Sequence, residues 1–302
     1  MPPPSLTLDC RLLCASGCAY YITGTKYQPL PGDRWGPAVN FIGQPTPIAG
    51  GNDLIDAGLI GEVADGIIVA FRGTLPPSWS LQSILDWLQD MLAEPGSRPD
   101  LPGKVHTGFY DATAAIIDQV ASQVKTKGSK PVYVTGHSLG GAMAVLGAWI
   151  MQATYGIKIA QVMTFAAPKP GDSAFQAAYQ KVFASHVRYE NYDDLVPLLP
   201  PADDFIKLVA EIPVIGELFK QAKHWDYQAV GTLKYIESAS NGYGIVSDPS
   251  MAERLGDIVY ELAQDIYSED FSSFGNAHSL MCGYGYISGA CPGAVCQGDQ
   301  AA

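Results

Sequence analysis

Cysteine pairs at metal-ligand spacing, long apolar runs and a surplus of basic charge are all missing from this chain of 302 residues. Without a Cys-x-x-Cys pair or a Cys/His cluster the zinc-ribbon and finger patterns have no footing, and neither a metal nor an organic cofactor is expected. The longest apolar run, Ala142 to Ala153, is too short to cross a bilayer and reads as a buried helix, so no stable membrane anchor is expected. Lysine and arginine together number 18 against 30 aspartates and glutamates, a formal charge of −12. That balance argues against nucleic acid and anionic lipid headgroups as partners and leaves neutral substrates open.

Two further absences concern processing and architecture. Met1 is followed by three prolines, with no basic region and no apolar leader, so the expected location stays open between secreted, with the leader outside this sequence, and cytoplasmic. Neither an internal repeat nor a linker divides the chain, which reads as one domain over residues 1–302; the oligomeric state is not legible. About half of the residues are apolar, enough for a sizeable core.

The six cysteines fall at the two ends. Cys10, Cys14 and Cys18, four apart, would make one stripe along a helix. Cys282, Cys291 and Cys296 sit in a Gly-rich tail over 282–302, where at least one disulfide is expected, within the tail or back to the N-terminal helix.

Periodicity gives the coarse organisation. Leu6 to Tyr21 reads as an amphipathic helix. The apolar runs Gly66–Phe71 and Pro131–Thr135 suit strands buried on both faces. Further strands are expected at 159–165, 187–192 and 229–236, and helices over 111–125, from 142 onward, over 172–183 and over 251–266. Strands alternating with helices along the whole length point to a mostly parallel sheet flanked on both faces, an α/β fold.

One pattern carries chemistry. Gly136-His137-Ser138-Leu139-Gly140 is a G-x-S-x-G, and it lies between a buried strand and a helix opened by small residues. A strand-to-helix turn that sharp needs glycine on both sides of the serine, and it lifts the hydroxyl to the C-terminal edge of the sheet. The Leu139 amide would then point from a helix N-terminus toward a developing oxyanion.

A serine hydroxyl attacks only when a base removes its proton. Of five histidines, His106, His137 and His186 read as structural by position, and His224 is the fallback. His278, in a late loop, fits the chain order serine, acid, histidine expected of such a sheet. The acid should follow a strand. Asp193 and Asp194 both qualify, and spacing alone does not choose between them.

Taken together these segments resemble the class 3 lipases, the fungal-type triacylglycerol lipases of the α/β-hydrolase fold, from about Ala64 to Tyr286. The resemblance rests on VAFRGT at 69–74, VHTGFYDA at 105–112, VTGHSLGGAMAVLGA at 134–148, TFAAPKPGD at 164–172 and RYENYDDLVPLLPP at 188–201. It implies Asp194 rather than Asp193 as the acid, His278 as the base and Ser138 as the nucleophile. By the same carry-over Thr74 joins Leu139 in the oxyanion hole. The substrate it implies is an ester at a neutral lipid interface. Phospholipase A1, galactolipase and feruloyl-type esterase chemistry on the same scaffold form the alternative, and a catalytically inactive binding protein the remote one.

Two segments depart from the family pattern. After Thr74 a longer stretch, about 75–92, leads through Trp79 into a helix with Leu81, Ile84, Leu85 and Leu88 on one face, where the resemblance implies a lid. Between Pro201 and His224, residues about 202–223 carry Phe205 and Val209 at helical spacing and, after Pro213, Ile215 in a second short apolar set. This insertion is expected to cap the site as a second wall against the acyl chain.

Overall fold

The computed structural model of the protein describes residues 6–75, 81–247 and 249–287. Within them an eight-stranded sheet runs in sequence order: β1 (Thr46–Gly50), β2 (Asp56–Val63), β3 (Gly66–Phe71), β4 (Val132–His137), β5 (Ile159–Phe165), β6 (Val187–Asn191), β7 (Thr232–Ile236) and β8 (Ile245–Val246). Strands β3 to β7 are parallel to one another, whereas β1–β2–β3 and β7–β8 are antiparallel. The parallel centre agrees with the expected α/β-hydrolase sheet. The edge formed by β1 and β2 does not follow the expected alternation: its strands connect directly, with no helix between β2 and β3. Two-residue turns suffice for antiparallel neighbours, and only parallel neighbours require a crossover.

Alternation within a strand explains the two-sided core. In β3, Ile67, Val69 and Phe71 face one apolar cluster while Ile68 and Ala70 face the other. The first cluster packs under α3 (Leu81–Asp90), α4 (Thr107–Ala114), α5 (Ile117–Thr126), α6 (Leu139–Ala153), α7 (Ser173–Val182) and α10 (Met251–Ser268). The second packs under α1 (Leu8–Ala19) and α2 (Trp35–Val39), together with Tyr284 and Ile287 near the C-terminal end. Helix α1 starts where the Thr7 hydroxyl accepts the Cys10 amide at 3.3 Å, with Asp9 in its first turn. The single helix expected over 111–125 is two, α4 and α5, broken at Ala115–Ile116. Among the described residues no helix is long and apolar enough to cross a membrane. Cys10 and Cys282 are disulfide-bonded, Cys14 and Cys18 are free and buried, and Cys291 and Cys296 lie outside the described residues.

The expected insertion after the acid is a pair of short helices, α8 (Asp203–Leu208) and α9 (Ile215–Lys220), tied to the exposed His224 through Asp203 at 3.0 Å. His224 is thus a surface brace.

Two other histidines contribute to the response to acid. His106 caps α4, its Nδ1 accepting the Phe109 amide at 3.2 Å, and burial pushes its pKa down from 6.5 to about 4. Burial takes His186 down to about 3. Both rings are neutral in the fold, so between pH 6.5 and 4 the unfolded chain binds more protons than the folded one. Stability therefore falls as pH drops through that window, by up to about 1.4 kcal/mol per pH unit for each ring. Thermal melts across pH 4 to 8 check this; an unchanged Tm down to pH 4 would contradict the burial of neutral imidazoles.

Candidate active site

The turn from β4 into α6 places Ser138. Its backbone sits at φ 58°, ψ −135°, a conformation that costs an L-residue about 1–3 kcal/mol and persists only where the surroundings impose it. The Ser138 amide donates to the Phe165 carbonyl of β5 at 3.0 Å, and the Gly141 amide donates to the Ser138 carbonyl at 2.8 Å. The flanking glycines are required by contact as well as by turn geometry. A Cβ on Gly136 would lie 2.0 Å from the Gly140 carbonyl oxygen, and one on Gly140 would lie 2.2 Å from that of Phe71. Leu139 is the first residue of α6, where amides have no partner within the helix, so its N–H is free for an oxyanion.

Phe71 of β3 pairs with Gly136 of β4, and this register carries the following segment past the elbow. Gly73 packs so tightly there that a Cβ would come within 2.6 Å of the His137 carbonyl oxygen. Thr74 follows and lines the same cavity as Ser138, whereas the Leu139 side chain does not line it.

At the other end of the site, His278 is the last residue of α11 (Ser272–His278), not part of a loop as expected. Its Nδ1 lies 3.0 and 3.1 Å from the two oxygens of Asp194, which is buried just beyond β6. The carboxylate accepts two further bonds, from the Val196 amide at 3.0 Å and from the Tyr284 hydroxyl at 2.6 Å. Burial and the neighbouring Asp194 push the Tyr284 phenol well above its ordinary range, so it stays protonated and serves as a donor. Asp193 faces a separate small cavity beside α10.

Ser138 and His278 line one cavity of about 380 Å³. Among the described residues no hydrogen bond joins the Ser138 hydroxyl to the His278 ring. Catalytic bonds of this kind often tighten only around bound substrate. A second link fixes the distance between the two segments. The His137 Nε2–H donates to the His278 carbonyl at 2.7 Å, which leaves Nδ1 to accept the Tyr20 hydroxyl at 2.7 Å. Burial holds the His137 ring well below its ordinary pKa, in keeping with a neutral imidazole that donates at one nitrogen and accepts at the other. The elbow residue, which reads from sequence as structural by position, thus clamps the backbone of the histidine segment.

The cavity walls correct several expectations. Of the lid-helix residues named from sequence, Ile84 lines the cavity; Leu88 is buried in the core and Leu85 packs against it. The Leu81 side chain and Trp79 lie outside the described residues. Trp87, also on α3 and not among the residues expected from sequence, has its ring centroid 5.9 Å from both Phe274 and His278. It stands three residues after Ile84 on the same helical face, which was the available signal. Tyr20 and Trp35, also cavity residues, come from segments whose sequence shows no motif.

Phe205, Val209 and Ile215 do not line the cavity. They are buried in the main core, at 3, 0 and 0% exposure, so the insertion spends its apolar face on packing and is not the expected acyl wall. It touches the outer face of α3 through Gln221, whose amide donates to Gln89 at 3.2 Å.

A parallel-centred sheet with a strained serine elbow, and a buried carboxylate–imidazole pair facing it, is the arrangement of the α/β-hydrolase fold. Residues 68–204, somewhat under half of the chain, match the family model described as Lipase (class 3). A lipase of Rhizomucor miehei is 35% identical over 150 residues, 47% of this chain and 39% of the relative. A secreted mono- and diacylglycerol lipase of Malassezia restricta is 29% identical over 244 residues, 76% of this chain and 69% of the relative. Among solved structures, a fungal lipase–inhibitor complex superposes with a TM-score of 0.59 at 24% identity, covering 91% of this chain and 94% of that one, a likeness of fold. The match spans well under two thirds of the Rhizomucor lipase.

Proposed function

We propose that the protein is a serine carboxylic-ester hydrolase acting on acylglycerols. The observation that carries this reading is the Asp194–His278 pair opposite Ser138 in one cavity walled largely by apolar side chains. The imidazole Nδ1–H is held by Asp194, which leaves Nε2 free to accept the Ser138 proton as Oγ attacks the ester carbonyl. The oxyanion that forms is held by the amides of Thr74 and Leu139. The protonated imidazole then gives its proton to the leaving alcohol, and an acyl-Ser138 ester remains. Water attacks this ester by the same route in reverse, releasing the fatty acid.

Ile84, Trp87, Phe274 and Leu280 favour an aliphatic acyl chain over a small polar one, because the cavity offers those carbons apolar contacts and few hydrogen bonds. Trp87 stands on a helix beside the oxyanion segment with its ring tilted toward His278 at a centroid distance of 5.9 Å, which supports a lid over the reacting centre. The deciding experiment measures hydrolysis of p-nitrophenyl esters of increasing chain length, beside emulsified triglyceride, diglyceride and phospholipid. Turnover of glycerides that rises with acyl length is the expected result. Preference for phospholipid would move the substrate to the phospholipase A1 alternative. Failure to hydrolyse any ester, with no labelling of Ser138 by an organophosphate, would leave an inactive relative.

A further inference from the structure

Away from the catalytic cavity, a second concavity of about 440 Å³ lies between the segment joining β5 to α7, the strand β6, the start of α8 and the start of α10. In a chain of net charge −12, its walls gather three cations, Lys169, Arg188 and Arg254. Their counter-charge is incomplete. Glu190, 4% exposed, accepts from Arg188 Nε at 2.8 Å and also from Arg254, so two guanidinium groups share one carboxylate. Asp204, the carboxylate in the lining, is itself exposed and paired with Lys207 at 2.8 Å.

Two donors are left over. Among the described residues the Lys169 ammonium makes one hydrogen bond, to the Pro200 carbonyl at 3.2 Å, and no carboxylate stands within ion-pair distance of it. The Arg254 Nε–H is buried with no partner. Burial, reinforced by the nearby Arg254, pushes the Lys169 pKa down to about 8 against the attraction of Glu190. Desolvated cations with unused donors are costly unless an anion completes them, and Arg and Lys are the side chains suited to carboxylate and phosphate oxygens. The rest of the lining divides in the same sense: Gln180 on α7 offers an amide, that of Gln176 already donates to the Ala229 carbonyl, and Leu198, Phe205 and Leu255 form an apolar wall.

The geometry points to a binding site for a small oxyanion in this cavity, a carboxylate or phosphate group held by Lys169 Nζ and the Arg254 guanidinium, with any short aliphatic stub against Phe205 and Leu255. Phe205 belongs to the inserted helix pair, so an occupied site ties that insertion to the sheet.

Calorimetric titration of the full chain with sodium phosphate and with sodium octanoate tests this, on the unaltered protein and on Lys169→Met. The substitution keeps side-chain length and removes a half-buried charge that has no ion pair among the described residues. Hydrolysis of a soluble ester by K169M should be unchanged, because Lys169 lies outside the catalytic cavity. Saturable binding that weakens by roughly 10- to 100-fold in K169M is the expected result. Phosphate alone, octanoate alone or both binding in this way each supports the site and identifies its source chemistry. Octanoate lodged in the catalytic cavity would bind K169M equally well. No saturable binding of either probe, or an affinity unchanged by K169M, overturns the proposal. Should K169M fail to fold, acetylation footprinting of the unaltered protein decides: Lys169, and not the exposed Lys207 or Lys220, should be protected by the anion, and an unprotected Lys169 overturns it.

Discussion

Replacing Ser138 by alanine is expected to lower turnover of a soluble ester by about four to six orders of magnitude while leaving the fold intact. The size follows from what remains: a cavity and oxyanion donors without a nucleophile, so that no acyl-enzyme can form. The backbone adds a second, independent expectation. Ser138 sits at φ 58°, ψ −135°, where glycine rests without a Cβ clash. Ser138→Gly should therefore also be inactive yet more stable. Strain relief of about 1–3 kcal/mol, less about 0.5–1 kcal/mol for the added chain entropy, leaves a net gain near 1 kcal/mol. In a domain of this size that raises Tm by roughly 2–4 °C. Melting curves and ester kinetics on both variants separate the two effects. Full activity in the alanine variant would end the serine mechanism, and a glycine variant melting lower than the parent would mean the elbow is not strained.

How much of this was legible in the chain depended on whether a residue's role was local. Gly136, Ser138 and Gly140 could be read because the turn is made by neighbours in sequence, and the apolar runs of β3 and β4 flank it directly. The site's other half is assembled across long separations. Tyr20 meets His137 across 117 residues, and Tyr284 meets Asp194 across 90, by single hydrogen bonds that leave no periodic trace. The helices at 203–208 and 215–220 were correctly expected from their spacing, but an amphipathic pattern says only that one face is buried, not what it is buried against. Phe205, Val209 and Ile215 turned out to face the core. The β1–β2 edge was missed because Asp56–Val63 has no flanking helix to mark it, and its glycines at 58 and 61 interrupt the apolar run. Choosing Asp194 over Asp193 needed the family register, and the hydrogen bonds to His278, Tyr284 and Val196 explain the choice physically.

Those bonds make Asp194→Asn the second large expected loss, about 10³- to 10⁴-fold in kcat. Three donors converge on the carboxylate: the His278 ring at 3.0 Å, the Tyr284 hydroxyl at 2.6 Å and the Val196 amide at 3.0 Å. An ionised carboxylate accepts all of them; asparagine has one accepting oxygen and two N–H donors. If its nitrogen takes the Oδ1 place, it meets the Val196 amide donor to donor. If it takes the Oδ2 place, it faces the Tyr284 hydroxyl and the His278 ring, and the ring relieves the clash by moving its proton to Nε2. That tautomer presents a donor toward Ser138 and cannot act as the base. Tyr284→Phe provides the control, since it removes one donor but leaves the negative charge and the imidazole tautomer in place. Its effect should be about tenfold in kcat with KM unchanged, at the strength of one hydrogen bond to a charged group. Steady-state kinetics on the two variants distinguish orientation of the imidazole from mere bracing of the segment. Equal losses in both would show that Asp194 acts by holding the backbone together, and a near-normal asparagine variant would remove it from the chemistry.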